Sequence, residues 1–509
     1  MHPLAELDHQ FVWHPFTQMR DWLRREPIVI VEGRGAVLRD AHGKEYLDAN
    51  ASIWTNLHGH QHPKINAAIQ RQLGKIAHSS ALGFANEPAS ILAKELVNAA
   101  NPEIYDLRFT IYEPKQRTAR KSPIANRKFA KVFFSDDGST ALEVALKLAY
   151  QFTRRTRDSK AKPRFLSLDG AYHGDTIGAV SLGHIDLFHK AYSGLLFETD
   201  TIPSPYCYRC PFNRAKPERD DARNYRKCNW ECVATTEKKV QQQKKTGNPY
   251  AGFVFEPLMQ GAAGMIAQPD GWLKRVTDIA GSNGALLIAD EVMTGFGRTG
   301  FEFPESPQQN APTHRLTDSP THLAPRLFAC MRENIQPDFL CVAKGLSGGY
   351  LPMAATLTTQ TVFDAFLGEY EELKTFFHGH SFTGNQLGAA ASLASLEILQ
   401  SAKSAAARAR LQTALAKELK TLWALPQIGD IRQVGLVAGI ELVRDWRTRE
   451  PFALWERAGI RVCEAMAKRG VLTRPVGNVI VLMPPYCTTE RQLKKMVAAI
   501  YEACAEVFK

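Results

Sequence analysis

The stretch PDFLCVAKGLSGG, residues 337–349, decides the fold, because an apolar run of the β type ends at Lys344 and small, flexible residues follow. An earlier apolar run, LLIADEV at 286–292, delivers Asp290 in the same way. Short apolar runs of this kind are typical of strands buried inside a sheet. The two runs therefore predict two strands that each end in a charged side chain.

The segments around these runs alternate between strand and helix patterns. FAKVFF at 129–134 predicts a strand, and ALEVALKLAYQF at 141–152 has the apolar spacing of a helix. Further strands are predicted at RFLSL, AGFVFEP, ALLIAD and DFLCVA. This alternation predicts an α/β fold with a mostly parallel sheet covered by helices. Such sheets bind ligands at the carboxyl ends of their strands, where Asp290 and Lys344 fall.

The pairing of Lys344 with Asp290 points to a particular chemistry. A lysine that forms a Schiff base needs a desolvated pocket, because burial lowers its pKa and frees the amine as a nucleophile. An aspartate beside it can keep a pyridine nitrogen protonated, which makes pyridoxal phosphate (PLP) an electron sink. The pair thus suggests a PLP enzyme. The alternative is that both residues are ordinary polar ends of buried strands.

Two further segments fit the same cofactor. The predicted strand at 129–134 leads into SDDGS, and Gly138 and Ser139 then open a helix whose N-terminus favours anions such as a phosphate. An ordinary N-cap turn is the alternative. Tyr172, in GAYHGDT at 170–176, follows a strand and could stack on a pyridine ring, or be an aromatic residue in a turn.

Taken together, these segments resemble the class III aminotransferases of PLP fold type I. The order and spacing of the motifs carry the resemblance, which runs through SDDGS, YHG, FEP, IADEV, GFGRTG, AKG and GHSFTGN. Within that family the ends of the chain resemble the 7,8-diaminopelargonate aminotransferases of biotin synthesis, through WHPFTQM, LHGHQHP, HGHSFTGNQLG and LTRPVGNVIVLMPPY. The match covers nearly the whole chain.

The resemblance also implies a domain organisation. We expect a large PLP-binding domain at 50–402 with a mostly parallel sheet, and a smaller α+β domain at 403–509. The N-terminal segment 1–49 would join the small domain. Insertions are expected near 111–128, 207–232 and 303–328, the last reading as a loop rich in Pro, Thr, His and Gln.

The resemblance implies a role for most of the residues singled out. Lys344 would form the Schiff base with PLP and then move the proton between the donor's α-carbon and the cofactor. Asp290 would hold the pyridine nitrogen. The other implied cofactor contacts are Gly138 and Ser139 for the phosphate, Tyr172 for the ring, and His380 and Ser381 from the neighbouring subunit of a homodimer with shared active sites.

A substrate pocket is implied as well. Arg474 would bind the carboxylate of 7-keto-8-aminopelargonate through its paired donors, the alternative being a surface arginine after a strand. Trp54 would line the pocket or, with equal weight, be a core aromatic residue. The other implied pocket residues are Phe16, Ile53, Tyr172, Lys344 and Gly379, and Glu256, Gln260 and Arg298 lie in family motifs without an assigned role.

The departures from the family pattern bear on the amino donor. Members that use S-adenosylmethionine typically have a tyrosine where this chain has Phe16, and a Trp-Trp pair where it has Ile53 and Trp54. The same substitutions resemble the branch that uses lysine. A site that lacks a hydroxyl partner can change its preference substantially, so these residues favour lysine slightly. The reaction would be ping-pong, with two half-reactions.

The cysteines leave two interpretations open. Cys207 and Cys210 form a C-x2-C pair, and Cys228 and Cys232 follow as C-x3-C, which resembles four-thiolate zinc spacing with a second pair one residue too long. The alternative is an inserted loop with reduced thiols. No metal is expected in the active site itself, since amino transfer needs none.

Composition narrows the remaining classes. The 509 residues are 44% hydrophobic, and no apolar run reaches the roughly 18 residues of a membrane span. The net charge of +11 comes partly from a basic run at 115–128 that lacks interleaved aromatics, so we expect a surface insertion and no nucleic-acid partner. With no targeting signal visible, a cytoplasmic location is expected. Another class III ω-aminotransferase, an aminomutase or a non-catalytic PLP-binding relative stays possible.

Overall fold

The computed structural model describes residues 1–101, 128–157, 162–300 and 326–509. The insertions predicted near 111–128 and 303–328 lie almost wholly outside these ranges, as does the basic run at 115–128. The described strands are β1 Ile30–Arg34, β2 Val37–Asp40, β3 Glu45–Asp48, β4 Phe129–Ser135, β5 Phe165–Leu168, β6 Asp200–Ile202, β7 Gly252–Phe255, β8 Met259–Gln260, β9 Ile266–Ala267, β10 Leu286–Asp290, β11 Phe339–Val342, β12 Ala354–Thr359, β13 Ile428–Val434, β14 Val437–Leu442, β15 Val471–Leu472, β16 Pro475–Val476 and β17 Val479–Leu482.

The described helices surround these strands. They are α1 Pro3–Phe11, α2 Met19–Trp22, α3 Ala51–Trp54, α4 Pro63–Leu73, α5 Glu87–Ala100, α6 Gly138–Thr156, α7 Ile177–Leu182, α8 Asp186–His189, α9 Ala222–Tyr225, α10 Glu231–Lys245, α11 Trp272–Ser282, α12 Gln360–Asp364, α13 Gln386–Gln400, α14 Ala402–Leu419, α15 Ala458–Lys468 and α16 Glu490–Val507. Among the described residues, no helix is both long and apolar enough to cross a bilayer.

The central sheet has seven described strands in the order β4-β12-β11-β10-β7-β5-β6. The pairs among β6, β5, β7, β10 and β11 are parallel, and β12 runs antiparallel to both of its neighbours, β11 and β4. The predicted α/β class with a mostly parallel sheet is confirmed. Every residue of β11 is buried, as a strand covered by helices on both faces should be.

Helix α6 begins shortly after β4 ends, and its N-terminal cap explains why the chain turns into a helix there. Asp137 caps the helix by accepting a hydrogen bond from the backbone N–H of Thr140 at 2.9 Å, and the Thr140 hydroxyl accepts one from the N–H of Asp137 at 3.0 Å. Such a cap contributes about 1 kcal/mol. Leu142 and Leu146 face the sheet, and burying each contributes about 1.5–3 kcal/mol. The helix predicted at 141–152 is confirmed.

Three smaller sheets complete the described fold, and the smallest is the antiparallel pair of β8 and β9. Strands β13, β14, β17 and β16 form an antiparallel sheet, and β1, β2 and β3 form another that ends in β15. The last pairing is parallel and joins Val471 to Leu47 and Leu472 to Asp48, so an N-terminal strand lies beside a C-terminal one. The predicted helix-plus-strand character of the C-terminal part is confirmed. The domain limits at 50 and 402 stay predictions.

Candidate active site

Lys344 follows β11 at the carboxyl edge of the central sheet and begins a short 3-10 turn. Its φ is +39°, in the left-handed region, which turns the side chain away from the strand direction. Protein packed around the amine desolvates it and lowers the pKa of Lys344 from 10.5 to about 8, while the nearby charges of Asp290 and Glu256 oppose that shift. A large share of these amines is therefore neutral near pH 8, as a nucleophile requires.

Asp290 ends the neighbouring strand β10 and is held by two hydrogen bonds. His173 lies 2.8 Å from Asp290 Oδ2 through its Nδ1, and the backbone N–H of Val292 donates to Oδ1 at 3.0 Å. Asp290 and His173 are both buried. His173 was not predicted as a site residue, although it follows Tyr172 in the YHG motif.

Glu256 is a second buried acid near Lys344, beside Asp290. Burial raises its pKa from 4.5 to about 7, and the charge of Asp290 adds to that effect. Its carboxylate accepts a hydrogen bond from the N–H of Gly261 at 2.8 Å and a longer one from the N–H of Tyr172 at 3.4 Å. Glu256 thus orders the backbone beneath Tyr172 and is partly protonated at neutral pH.

The start of α6 forms a narrow cradle. A Cβ placed on Gly138 would lie 2.7 Å from Cγ1 of Val292, and one on Gly174, whose φ is +117°, would collide with the side chain of Ser139. The Ser139 hydroxyl accepts a hydrogen bond from the N–H of Asp175 at 3.2 Å. Because free N–H groups and the helix dipole favour an anion at such an end, the cradle fits a phosphate group.

Tyr172 belongs to a chain of aromatic rings. Its ring lies parallel to that of His189 with centroids 6.2 Å apart, and its hydroxyl donates to Asp175 at 2.7 Å. Phe188 packs edge-on between Tyr172, at 6.2 Å, and Phe16, at 5.2 Å. Phe188 therefore links Tyr172 to Phe16, which is far from both in sequence, and neither Phe188 nor His189 was predicted as a site residue.

Arg474 lies between β15 and β16, with an exposed side chain. Its Nη2 donates to the backbone carbonyl of Phe16 at 3.2 Å. In the described parts of the chain, no carboxylate pairs with Arg474 within ion-pair distance. The guanidinium is thus positioned beside Phe16 with donors left for a carboxylate from solution.

The segment Ala51–Trp54 adopts a rare backbone. These four consecutive residues have φ values of 44°, 49°, 62° and 73°, which form one left-handed turn without any glycine. The Trp54 indole donates to Asn50 at 2.8 Å, and its ring lies 4.5 Å from Lys344 Nζ, so Trp54 lines the lysine pocket and is also buried. The adjacent Ile53 is 49% exposed and free to contact a ligand.

Asp48 holds this turn in place. Its carboxylate accepts hydrogen bonds from the N–H of Ser52 at 3.1 Å and from the Ser52 hydroxyl at 2.9 Å, and it lies 3.3 Å from His60. Burial alone would raise the pKa of Asp48, but the contacts with His60 and Ser52 outweigh burial and hold it below 3.8. Asp48 was not predicted from the sequence, because its role depends on contacts with Ser52 and His60 that only the folded chain shows.

Residues 379–381 lie next to the phosphate cradle of the same chain. His380 Nδ1 is 3.2 Å from Asp136, the residue before the α6 cap, and the carbonyl of Ser381 accepts a hydrogen bond from His78 at 2.9 Å. A Cβ on Gly379 would meet nothing within 4 Å, so this position faces open space. The predicted contribution of His380 and Ser381 to a neighbouring subunit stays a prediction.

Gln260 and Arg298, which lie in family motifs, have different surroundings. Gln260 donates to the carbonyl of Asp169 at 3.1 Å, and its buried Oε1 has no hydrogen-bond partner in the described structure. Arg298 is buried and donates to the carbonyls of Pro484, at 2.7 Å, and Asn56, at 3.2 Å. Arg298 therefore joins distant segments of the backbone, whereas Gln260 leaves an acceptor that a ligand can satisfy.

A desolvated lysine, a buried acid at the next strand end and an anion cradle together fit PLP, which supplies an electron sink for amino transfer when bound. The model of the family "Aminotransferase class-III" matches residues 19–307 and 325–504, and the chain belongs to that family. The predicted class III membership, PLP dependence and fold type are confirmed.

Relatives of this chain carry more specific names. An adenosylmethionine-8-amino-7-oxononanoate aminotransferase of Geobacter sulfurreducens is 44% identical over 97% of this chain and 95% of its own length. The solved structure of the Methanocaldococcus jannaschii enzyme of the same name has a TM-score of 0.82 at 36% identity, with 99% of this chain and 98% of that chain covered. A PLP-bound amine transaminase from an uncultivated Pseudomonas species has a TM-score of 0.79 at 28% identity, with 97% and 98% covered.

Proposed function

We propose that this enzyme transfers an amino group to 8-amino-7-oxononanoate, also called 7-keto-8-aminopelargonate, to give 7,8-diaminopelargonate in biotin synthesis. One observation carries the proposal. Four relatives named adenosylmethionine-8-amino-7-oxononanoate aminotransferase are 38–44% identical over 97–99% of this chain. Similarity over the whole length includes the terminal segments that hold Phe16 and Arg474, not only the cofactor site.

Each cofactor-site residue has a proposed task. Lys344 Nζ, whose pKa of about 8 leaves a large share of it neutral near that pH, would take and return the proton that moves between substrate and cofactor. Asp290, oriented by His173, would keep the pyridine nitrogen protonated. Gly138 and Ser139 would bind the phosphate, and Tyr172 would pack on the ring. These tasks require a carboxylate, an amine and an anion cradle at one sheet edge, which the described geometry supports.

Arg474 is proposed to bind the carboxylate at the far end of the acceptor. The guanidinium is exposed, has no carboxylate partner in the described ranges, and is anchored beside Phe16 by one hydrogen bond. A fork of paired donors suits a carboxylate. Ile53 and Trp54, with Gly379, would line the remaining length of the pocket.

The donor is proposed to be lysine or S-adenosylmethionine, with lysine favoured. The names of the relatives point to S-adenosylmethionine, but Phe16 offers no hydroxyl and Ile53 no second indole ring. The Phe16 ring instead packs on Phe188, so this side of the pocket is apolar. Loss of a hydroxyl partner lowers affinity for a ligand that needs it.

A homodimer with shared active sites is proposed on the basis of exposed apolar side chains in two segments that meet where His78 contacts Ser381 and Phe382. Leu82, Phe84, Phe377 and Phe382 are each more than half exposed, and Phe382 packs near His78 with ring centroids 4.7 Å apart. A second copy that covered these residues would bring its own residues to the cradle. We further propose a cytoplasmic location, because all nine cysteines are free thiols, as in a reducing compartment.

The test is a paired donor assay on the PLP-loaded enzyme. We expect lysine to bleach the absorption of bound PLP, and 8-amino-7-oxononanoate to restore it with formation of the diamine, measured by mass spectrometry. If S-adenosylmethionine bleaches the band and lysine does not, the donor preference is wrong and the acceptor assignment stands. If neither does but γ-aminobutyrate does, the biotin assignment fails and another ω-aminotransferase activity replaces it.

A further inference from the structure

Four cysteines of the segment 207–232 line a single cavity. They are Cys207, Cys210, Cys228 and Cys232, and the cavity is completed by Pro205, Asn213, Arg226, Trp230 and Pro269. All four are free thiols. The C-x2-C and C-x3-C pairs therefore converge in three dimensions, which separates them from the cysteines scattered through the core.

The backbone around each pair is arranged to present the thiols. The first pair lies in a tight turn, where the N–H of Arg209 donates to the carbonyl of Tyr206 at 2.9 Å. In the second pair, Cys232 stands in the first turn of α10 and Trp230 before it has a φ of +62°. Arg226 Nη1 donates to the sulfur of Cys228 at 3.0 Å.

We propose that Cys207, Cys210, Cys228 and Cys232 bind a thiolate-ligated metal centre, an iron–sulfur cluster in preference to a single zinc ion. Zinc requires its four sulfurs to converge at about 2.3 Å from one point. Among the described residues, no group of three or more His, Cys, Asp or Glu side chains is placed to hold a metal ion, so the four sulfurs do not converge on one point as zinc requires. A cluster places one thiolate on each of several irons, so it suits thiols spread around a common cavity.

The surroundings of the cavity fit this centre. Pro205, Trp230 and Pro269 give it an apolar wall, and the Arg226 guanidinium supplies the kind of hydrogen bond to sulfur that tunes such clusters. Loading would deprotonate the four thiols and release their protons to solvent, without any oxidation or reduction of the protein. Preassembled iron and sulfide are the species bound.

The contacts of this segment indicate what the centre does. Arg209 pairs with Glu441 of β14 at 2.7 Å, and Arg223 donates to the carbonyl of Gln433 in β13 at 2.8 Å. The N–H of Ala222 donates to Asp430 at 3.1 Å. By joining the two cysteine pairs, the centre would fix the loop that braces the β13–β14 hairpin. It acts in stability rather than in amino transfer.

The test measures metal directly, so its outcome does not depend on which amine the enzyme uses. The full-length protein is purified without oxygen, and iron, zinc and acid-labile sulfide are measured together with the electron paramagnetic resonance of the reduced protein. We expect equal amounts of iron and sulfide, lost in Cys210→Ser and Cys228→Ser. The exposed Cys487 provides a matched control, and Cys487→Ser should retain both.

The outcomes separate clearly. One zinc per chain without sulfide, lost in the same two variants, would overturn the cluster and support the four-thiolate ligand set alone. Trace metal in the wild type, or equal metal in the wild type and the two cysteine variants, overturns the proposal. If a variant fails to fold, the wild-type protein is treated with a mild chelator instead. Loss of metal with a lower Tm and unchanged PLP absorption would support the proposal, and an unchanged Tm would overturn its structural role.

Discussion

The substitution Asp48→Asn tests whether the left-handed turn at 51–54 shapes the substrate pocket. Left-handed backbone costs about 1–2 kcal/mol for each residue other than glycine, so the four residues store about 4–8 kcal/mol. Asp48 opposes that strain with two hydrogen bonds to Ser52 and a contact with His60. Replacing a charged acceptor by a neutral one weakens each contact by about 1 kcal/mol.

We therefore expect Asp48→Asn to weaken the turn by about 2–3 kcal/mol and to let part of the population relax. Relaxation moves Ile53 and Trp54 from the pocket, and the apparent affinity falls with the competent fraction. The KM for donor and acceptor should rise about tenfold. The affinity for PLP, which we propose to rest on Asp290 and the α6 cradle, should stay unchanged. Steady-state kinetics and equilibrium dialysis of PLP measure the two quantities.

Asp40→Asn is the matched control. Asp40 is also a buried aspartate of the N-terminal sheet, and it accepts a hydrogen bond from the Tyr46 hydroxyl at 2.8 Å, away from the turn. Both variants should lose stability, but only Asp48→Asn should raise KM. If the two variants have equal Tm losses and both retain the wild-type KM, the turn is a feature of the fold alone and our reasoning is refuted.

Three other predictions concern charged groups of the site. Lys344→Ala should lower kcat more than about 10³-fold, and borohydride reduction should no longer fix PLP to the chain; a PLP adduct on another lysine, seen by peptide mass spectrometry, would contradict our choice. Arg474→Ala should raise the KM of the acceptor about 10- to 100-fold and leave the donor's KM unchanged, which kinetics with each substrate varied will show. Because burial lowers the pKa of Lys344 to about 8, its acylation in the PLP-free enzyme should increase with pH around a midpoint near 8. Glu256→Gln removes a charge that opposes this shift, so the midpoint should fall further; an unchanged midpoint would show that the two groups do not interact.

Much of the framework could be predicted from the sequence because it depends on local patterns. The apolar runs at β10 and β11 and the helix after SDDGS all lie where their periodicity placed them. The direction of β12 could not be predicted in this way. Its sequence, AATLTT, is typical of any buried strand, and its antiparallel pairing depends on the path of the chain before it.

The parts of the site that were missed depend on contacts between distant segments. His173 matters because it meets Asp290, and Phe188 because it meets both Tyr172 and Phe16; neither residue shows this in its own neighbourhood. The left-handed turn was unpredictable for another reason. ASIW contains no glycine, so its backbone is set by Asp48 rather than by its own preferences.

The parallel pairing of β15 with β3 fixes the position of a C-terminal strand relative to an N-terminal one. Leu472 lies opposite Asp48. Leu472 precedes Arg474 by two residues, and Asp48 precedes the left-handed turn at 51–54 by three. A displacement of the paired strands β3 and β15 within their sheet would therefore move Arg474, the proposed carboxylate anchor, together with the turn that holds Ile53 and Trp54, while the α6 cradle would keep its position. Substitutions in the N-terminal and C-terminal segments can thus change which substrates bind, while the residues of the central sheet and α6 stay the same.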